Sequence, residues 1–181
     1  MKYRSVDEAE HFNYHDACLK RTYREGTDWI MELEGVCVEP SNSQNTYLMA
    51  MQTDFLRMRF QNGRLNGGKF YDSVTRKPDG TEEWKQKEYR FTQEDLQEVL
   101  EHLHTEHDFW ISHGGYVDAD KERTTFFLDI DLQTCLKRIG TAFACLEISC
   151  TGIVMEWDGY CGLAWYEPRR KGAGNKEKEE K

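Results

Sequence analysis

Imidazole and carboxylate groups crowd one short run, Glu101-His102-Leu103-His104-Thr105-Glu106-His107-Asp108, and such groups are the usual ligands of zinc and related metals. The run closes an apolar pattern of helical spacing, so helix geometry decides which of them converge. At about 100° per residue counted from Leu96, His107 falls at about 20°, His104 at about 80° and His102 at about 240°. Three ligands cannot converge from this helix alone. His104 and His107 form a candidate metal pair that needs a third group, such as His113 beyond the helix end, with Asp108 or Glu101 behind them. The simpler expectation is that late histidines suit solvent and the negative C-terminal end of a helix.

Other runs were weighed in the same way. Tyr14-His15-Asp16-Ala17 puts an acid beside a base, but neighbours on an extended strand point to opposite faces, so Asp16 is not expected to orient His15. Asp129 and Asp131, two apart in a strand, share a face on which carboxylates can hold Mg²⁺; alternation opposite Phe126, Leu128 and Ile130 makes a solvated side the simpler account. Asp118-Ala119-Asp120-Lys121-Glu122 opens like a calcium loop, but Arg123 stands where the sharp turn requires Gly, which excludes an EF-hand. The cysteines Cys18, Cys37, Cys135, Cys145, Cys150 and Cys161 contain no Cys-x-x-Cys pair and are expected to be reduced and buried. Phosphate-loop, dinucleotide-binding and nucleophile-elbow signatures are absent from the sequence. No cofactor is expected. Trp157, Tyr160, Trp165 and Tyr166 make an aromatic end segment, and aromatic side chains left exposed there are candidate binding anchors.

The elements that must position these residues are mostly strands. Ala17 to Arg24 and Trp29 to Glu39 flank Glu25-Gly26-Thr27-Asp28 and read as a hairpin. The alternating apolar phase slips three times: across Gly35, between Met51 and Leu56, and across Gly152. Each slip predicts a bulge and, together, a strongly curved sheet. Gln61-Asn62-Gly63, Asn66-Gly67-Gly68 and Lys77-Pro78-Asp79-Gly80 read as turns, and Trp84 to Phe91 as a short polar strand. A helix starts at Thr92, whose hydroxyl can cap Asp95 while Asp95 reaches back, and Leu96, Val99, Leu100 and Leu103 mark one face. Leu132 to Phe143 fits neither period well, and the last strands run from Ala144 to Trp165.

Composition bounds the rest. The chain has 181 residues, 38% of them hydrophobic, and a mean hydropathy of -0.83, with an aromatic share of 13% that argues for a packed core. One α+β domain over 1–168 is expected, followed by a disordered charged tail over 169–181. That tail holds six Lys/Arg against three Glu, so the net charge of -9 leaves -12 for the remainder. Such a body repels nucleic acid and is steered towards a basic protein partner. No apolar run is long enough to span a membrane and the start carries no hydrophobic signal core, so a cytoplasmic location is expected. Oligomeric state leaves no signature.

The opening run Tyr14-His15-Asp16-Ala17, leading into a hairpin, resembles the opening of small β-rich bacterial domains, some of them toxin-immunity proteins. The run from Leu146 to Trp157 is similar to their closing paired strands. The resemblance implies a binding or immunity role with no known catalytic residues. The expected fold class is therefore α+β: a curved, mostly antiparallel sheet of hairpins, with a partly open barrel as the alternative, and one main helix packed on it. The expected function is a non-enzymatic acidic protein-binding module. A metal-dependent enzyme using His104, His107 and a third ligand is the rival.

Overall fold

The computed structural model describes residues 1–72, 75–76, 82–83, 87–106, 108–119, 123–135 and 141–167. The turn expected at Lys77-Pro78-Asp79-Gly80, the start of the strand expected from Trp84, the middle of the Leu132 to Phe143 stretch, His107 and the tail all lie outside the described residues.

The first half of the chain supplies β1 (Tyr3–Val6), a 3-10 turn at Ala9–His11, β2 (Phe12–Asn13), β3 (Ala17–Glu25), β4 (Asp28–Glu34), β5 (Cys37–Val38), β6 (Met51–Thr53), β7 (Phe55–Gln61) and β8 (Arg64–Asp72). Then come β9 (Thr75–Arg76), β10 (Glu82–Glu83), β11 (Lys87–Arg90), helix α1 (Gln93–Thr105), β12 (Phe109–Ala119), β13 (Thr124–Cys135), β14 (Thr141–Cys150), β15 (Gly152–Trp157) and β16 (Tyr160–Leu163). Ten strands form one sheet in the order β1-β15-β7-β4-β3-β12-β13-β14-β8-β11, four form a small sheet in the order β16-β6-β5-β2, and β9 pairs with β10. Every pairing in the ten-stranded sheet is antiparallel. With its one helix, the fold is α+β as expected. The sheet ends on β1 and β11 and is not closed, so the barrel alternative gains no support.

The three phase slips prove to be corners rather than bulges. At Gly35, whose φ of +77° favours glycine, the chain leaves β4 in the large sheet and enters β5 in the small one. After β6 it returns, past Asp54, to β7 in the large sheet. At Thr151 it passes from β14 to β15, strands at nearly opposite ends of the large sheet. An apolar run that must face a new core on a new sheet resets its phase, which is the signature a bulge also leaves. True register shifts lie elsewhere, between Leu19 and Arg21, Ile111 and His113, Tyr116 and Asp118, and Glu147 and Ile148.

Curling lets one face of the sheet bury itself. Phe60 on β7 and Phe126 on β13 lie four strands apart in the sheet order, a separation of about 19 Å if the sheet were flat, yet their ring centroids are 5.9 Å apart. Trp29, Phe60, Phe126, Leu146, Met155 and Trp157 belong to one buried cluster. Thr92 and Asp95 form the anticipated reciprocal cap of α1, with Thr92 N donating to Asp95 Oδ2 at 2.7 Å and Asp95 N to Thr92 Oγ1 at 3.2 Å. Val99 and Leu103 then bury in the same cluster, and Thr22 Oγ1 on β3 donates to the Leu103 carbonyl at 2.8 Å. No helix among the described residues is long and apolar enough to cross a membrane.

The corner between the halves of the sheet is held by polar groups. Thr151 N donates to the Gln61 carbonyl at 2.9 Å, and Asn62 Nδ2 donates to Thr151 Oγ1 at 3.0 Å. Asn62 turns the chain with φ +48° and its amide donates to Asp28 Oδ1 at 2.9 Å. Gly63 follows because a Cβ there would lie 2.7 Å from Phe60 Cβ and 2.8 Å from the Phe60 carbonyl oxygen. Gly63→Ala is therefore expected to cost about 1–3 kcal/mol by overpacking. Gly159→Ala, where the new Cβ would meet nothing within 4 Å, should stay within about 0.5 kcal/mol. Urea unfolding of the two variants checks the contrast.

Candidate functional site

The large sheet has two outer faces, and they differ in kind. Across β3, β4, β7, β15 and β1 runs the register row Arg21, Glu32, Arg57, Glu156, Arg4. Charge alternates at each step, with Arg57 to Glu32 at 3.4 Å and Arg4 to Glu156 at 3.7 Å. Tyr23 OH donates to Glu32 at 3.0 Å and the Arg21 guanidinium covers the Tyr23 ring at 4.7 Å. Most of these charges are paired, although Arg57 Nε is buried without a hydrogen-bond partner among the described residues.

Across β12, β13, β14, β8 and β11 the outer rows read differently. One is Trp110, Asp131, Phe143, Tyr71, Glu88, and the next is His113, Asp129, Cys145, Lys69, Arg90. Beside them Phe127 pairs with Gly115 and Glu147. Trp110, Val117 and Phe143 are 51%, 59% and 40% exposed, an apolar surface on strands whose opposite side chains Ile111, Phe126, Leu128 and Ala144 are buried. Ion pairs flank the aromatic rings: Lys69 to Glu88 at 3.0 Å, and Arg90 to Glu147 at 2.8 Å. Lys69 also lies 5.0 Å over the Tyr71 ring. Oδ1 of Asp129, in the middle of this face, is buried and accepts no hydrogen bond from a described residue, an uncommon state for a carboxylate oxygen.

The row His113, Asp129, Cys145 has the residue types of a thiol site but not its geometry. Asp129 separates the other two by two strand spacings, about 9.6 Å, so His113 cannot take a proton from Cys145. Burial and the Asp129 carboxylate push the Cys145 thiol up to about 12, which keeps it protonated and poorly nucleophilic near neutral pH. The His113 ring rests instead against Phe127, with centroids 5.4 Å apart.

Of the proposed metal ligands, His104 and His113 are among the described residues and His107 is not. His104 is exposed and its Nδ1 lies 2.5 Å from the Leu100 carbonyl, while His102 Nδ1 lies 2.9 Å from Glu106. Helix α1 packs on the core side of the sheet, whereas His113 stands on the outer side. Among the described residues no three metal-ligating side chains come together.

The aromatic end segment divides. Trp157, offered as an exposed anchor, is fully buried; it stacks on Tyr3 at 5.3 Å and meets Phe12 edge-on at 5.7 Å, because β15 turns this position inward. Tyr160 is half-buried between Tyr3 and Tyr47. Tyr166 is half-buried and its hydroxyl bonds Glu39. Trp165 remains 43% exposed and packs beside His15, with centroids 5.8 Å apart. His15 itself corrects an expectation: its Nδ1 lies 3.1 Å from Asp16 Oδ2. The two residues occupy a tight turn with Asp16 at φ +64°, and alternation along a strand does not apply to them.

Sequence reasoning missed Trp110 and Phe143. The signal was present in Phe109-Trp110-Ile111, where a large ring stands out of phase with two apolar neighbours that the core claims. Compared with family models, curated proteins and solved structures, the chain matches none.

The buried thiols make stability depend on pH. Burial pushes Cys37 and Cys145 up to about 12 and Cys150 up to about 11, from an ordinary value of 9.0. The folded state therefore holds these protons more tightly than the unfolded chain, and their contribution is complete below pH 9.0 and lost as pH climbs towards about 11 to 12. Urea midpoints should be governed by other groups below pH 9.0 and fall above it. In the folded protein a thiol reagent should label exposed Cys161 while Cys37, Cys145 and Cys150 react only on unfolding.

Proposed function

We propose that the protein is a non-enzymatic binding module that docks a basic protein through the outer face of β12, β13, β14 and β8. The observation that carries this reading is the contrast between the two outer faces of one sheet. Oppositely charged side chains in register cover the first, whereas the second presents Trp110, Val117 and Phe143 to solvent. Exposed aromatic rings on rigid strands supply contact area at small entropic cost. Asp129 and Asp131 would add negative charge beside the rings. The net charge of -9 would speed encounter with such a partner and discourage anionic competitors. An immunity-like protein of a bacterial toxin system is the concrete form of this reading.

Affinity capture with the full chain from its native host tests it. A specific basic protein should be recovered, with association slowing as salt rises. Trp110→Ala and Phe143→Ala should each weaken capture by about tenfold or more, while Arg21→Ala on the charge ladder leaves it unchanged. Because these side chains are exposed, stability should shift by no more than about 1 kcal/mol. Full capture by both aromatic variants, or no partner at any salt concentration, would overturn the proposal.

A further inference from the structure

The corner of the sheet carries a second surface, independent of the aromatic face. The turn between β3 and β4 and the turn between β7 and β8 enclose an open cleft of about 370 Å³ lined by Arg24, Gly26, Thr27, Asn62, Gly63 and Arg64. This lies within the usual range for small-molecule sites, about 300–1,000 Å³.

Its charge is unusual for so acidic a chain. Arg24 is fixed: its guanidinium lies 5.7 Å from the Trp29 ring, and Nη1 donates to the Gly63 carbonyl at 2.5 Å and to the Thr27 carbonyl at 3.4 Å. These bonds occupy one of its nitrogens. Arg64, next in sequence to Gly63, is exposed and lines the same cleft as Arg24; burial, and after it the charge of Arg64, lower the pKa of Arg24. Neither makes an ion pair with a described carboxylate. The acids of the neighbouring turn are engaged elsewhere: Glu25 and Asp28 both bind Arg59, and Asp28 also accepts the Asn62 amide. A third guanidinium, that of Arg123, donates to the Asn62 carbonyl at 3.1 Å and through Nε to Ser149 at 2.8 Å, holding the turn from the other side. A role for Arg24 in capping the core accounts for its Nη1 bonds. It leaves unexplained why a second arginine is kept beside the first with no described acid between them.

We propose that this cleft binds the phosphate group of a small phosphorylated molecule, held between the guanidiniums of Arg24 and Arg64. Two adjacent cations are best relieved by a dianion. A phosphate monoester carries a charge of about -1.5 to -2 near neutral pH and offers the oxygen geometry that guanidinium forks match, whereas a single carboxylate brings one charge.

Amide NMR titration of the full chain in low-salt buffer, with inorganic phosphate, phenyl phosphate and acetate as separate probes, tests the assignment. Phosphate and phenyl phosphate should give saturable shifts at Gly26, Thr27, Asn62, Gly63 and Arg64, with acetate much weaker. Arg64→Ala, at an exposed position, should weaken phosphate binding by about tenfold, the range of a lost charge-assisted hydrogen bond. Its own amide spectrum reports that the fold is intact. Arg64→Lys should retain part of the affinity, since it keeps the charge and loses the fork. Absence of saturable shifts, acetate binding as well as phosphate, or undiminished affinity in Arg64→Ala would each overturn the proposal.

Discussion

The fold depends on the corner at which the chain crosses from β14 to β15, strands at nearly opposite ends of one sheet. Thr151, the single residue between β14 and β15, gives its amide to the carbonyl of Gln61, where β7 ends. Each such bond is worth only about 0.5–1.5 kcal/mol net. Its consequence is larger, because the curl it fixes lets ten strands bury one shared face. Phe60 meets Phe126 only in the curled state, and the core it encloses is completed by Val99 and Leu103 of α1 and by Phe12, Val36 and Val38 at the small sheet. The polar groups at the corner are correspondingly well bonded, with Asn62, Asp28, Arg123 and Ser149 joined by hydrogen bonds.

A curled sheet turns its other face outward along its whole width, and the sequence treats the two halves of that face differently. On β3, β4, β7, β15 and β1, opposite charges stand opposite one another in register. They cover this half with charge rather than with exposed rings. On β12, β13, β14 and β8, Trp110, Val117 and Phe143 stand exposed among the charged groups. Local stability does not explain such a face, since a polar side chain at 110 or 143 would serve the fold as well. The proposed binding role rests on this half.

Several groups that suggest chemistry in the sequence are held apart or held neutral among the described residues. Cys150 in the main core and Cys37 in a small separate cluster with Ala50 and Ala164 are driven towards the neutral form by burial. Cys145, on the outer face, is driven the same way by burial and a neighbouring carboxylate. His113 and Cys145 share a row without touching, and His104 belongs to the far side of the sheet. Residue types that suggest a site in the sequence are separated here by strand spacing and by the thickness of the core.

The sequence by itself determined the local elements. A capping box at Thr92 and Asp95, with apolar residues at helical spacing, defines α1 because those interactions are complete within a few residues. Alternation defines the strands and shows which side chains share a face, which is how Asp129 and Asp131 were placed opposite Phe126, Leu128 and Ile130. Turn chemistry at Asn62-Gly63 located the corner without revealing that it was one. Only the tertiary structure decided what the phase slips meant, because a bulge and a change of sheet leave the same mark on a one-dimensional pattern. It alone buried Trp157 and exposed Trp110, since burial of a ring depends on which strands curl over it. It alone brought Arg24 and Arg64 to one cleft, because the two turns that carry them stand side by side only once β4 pairs with β7.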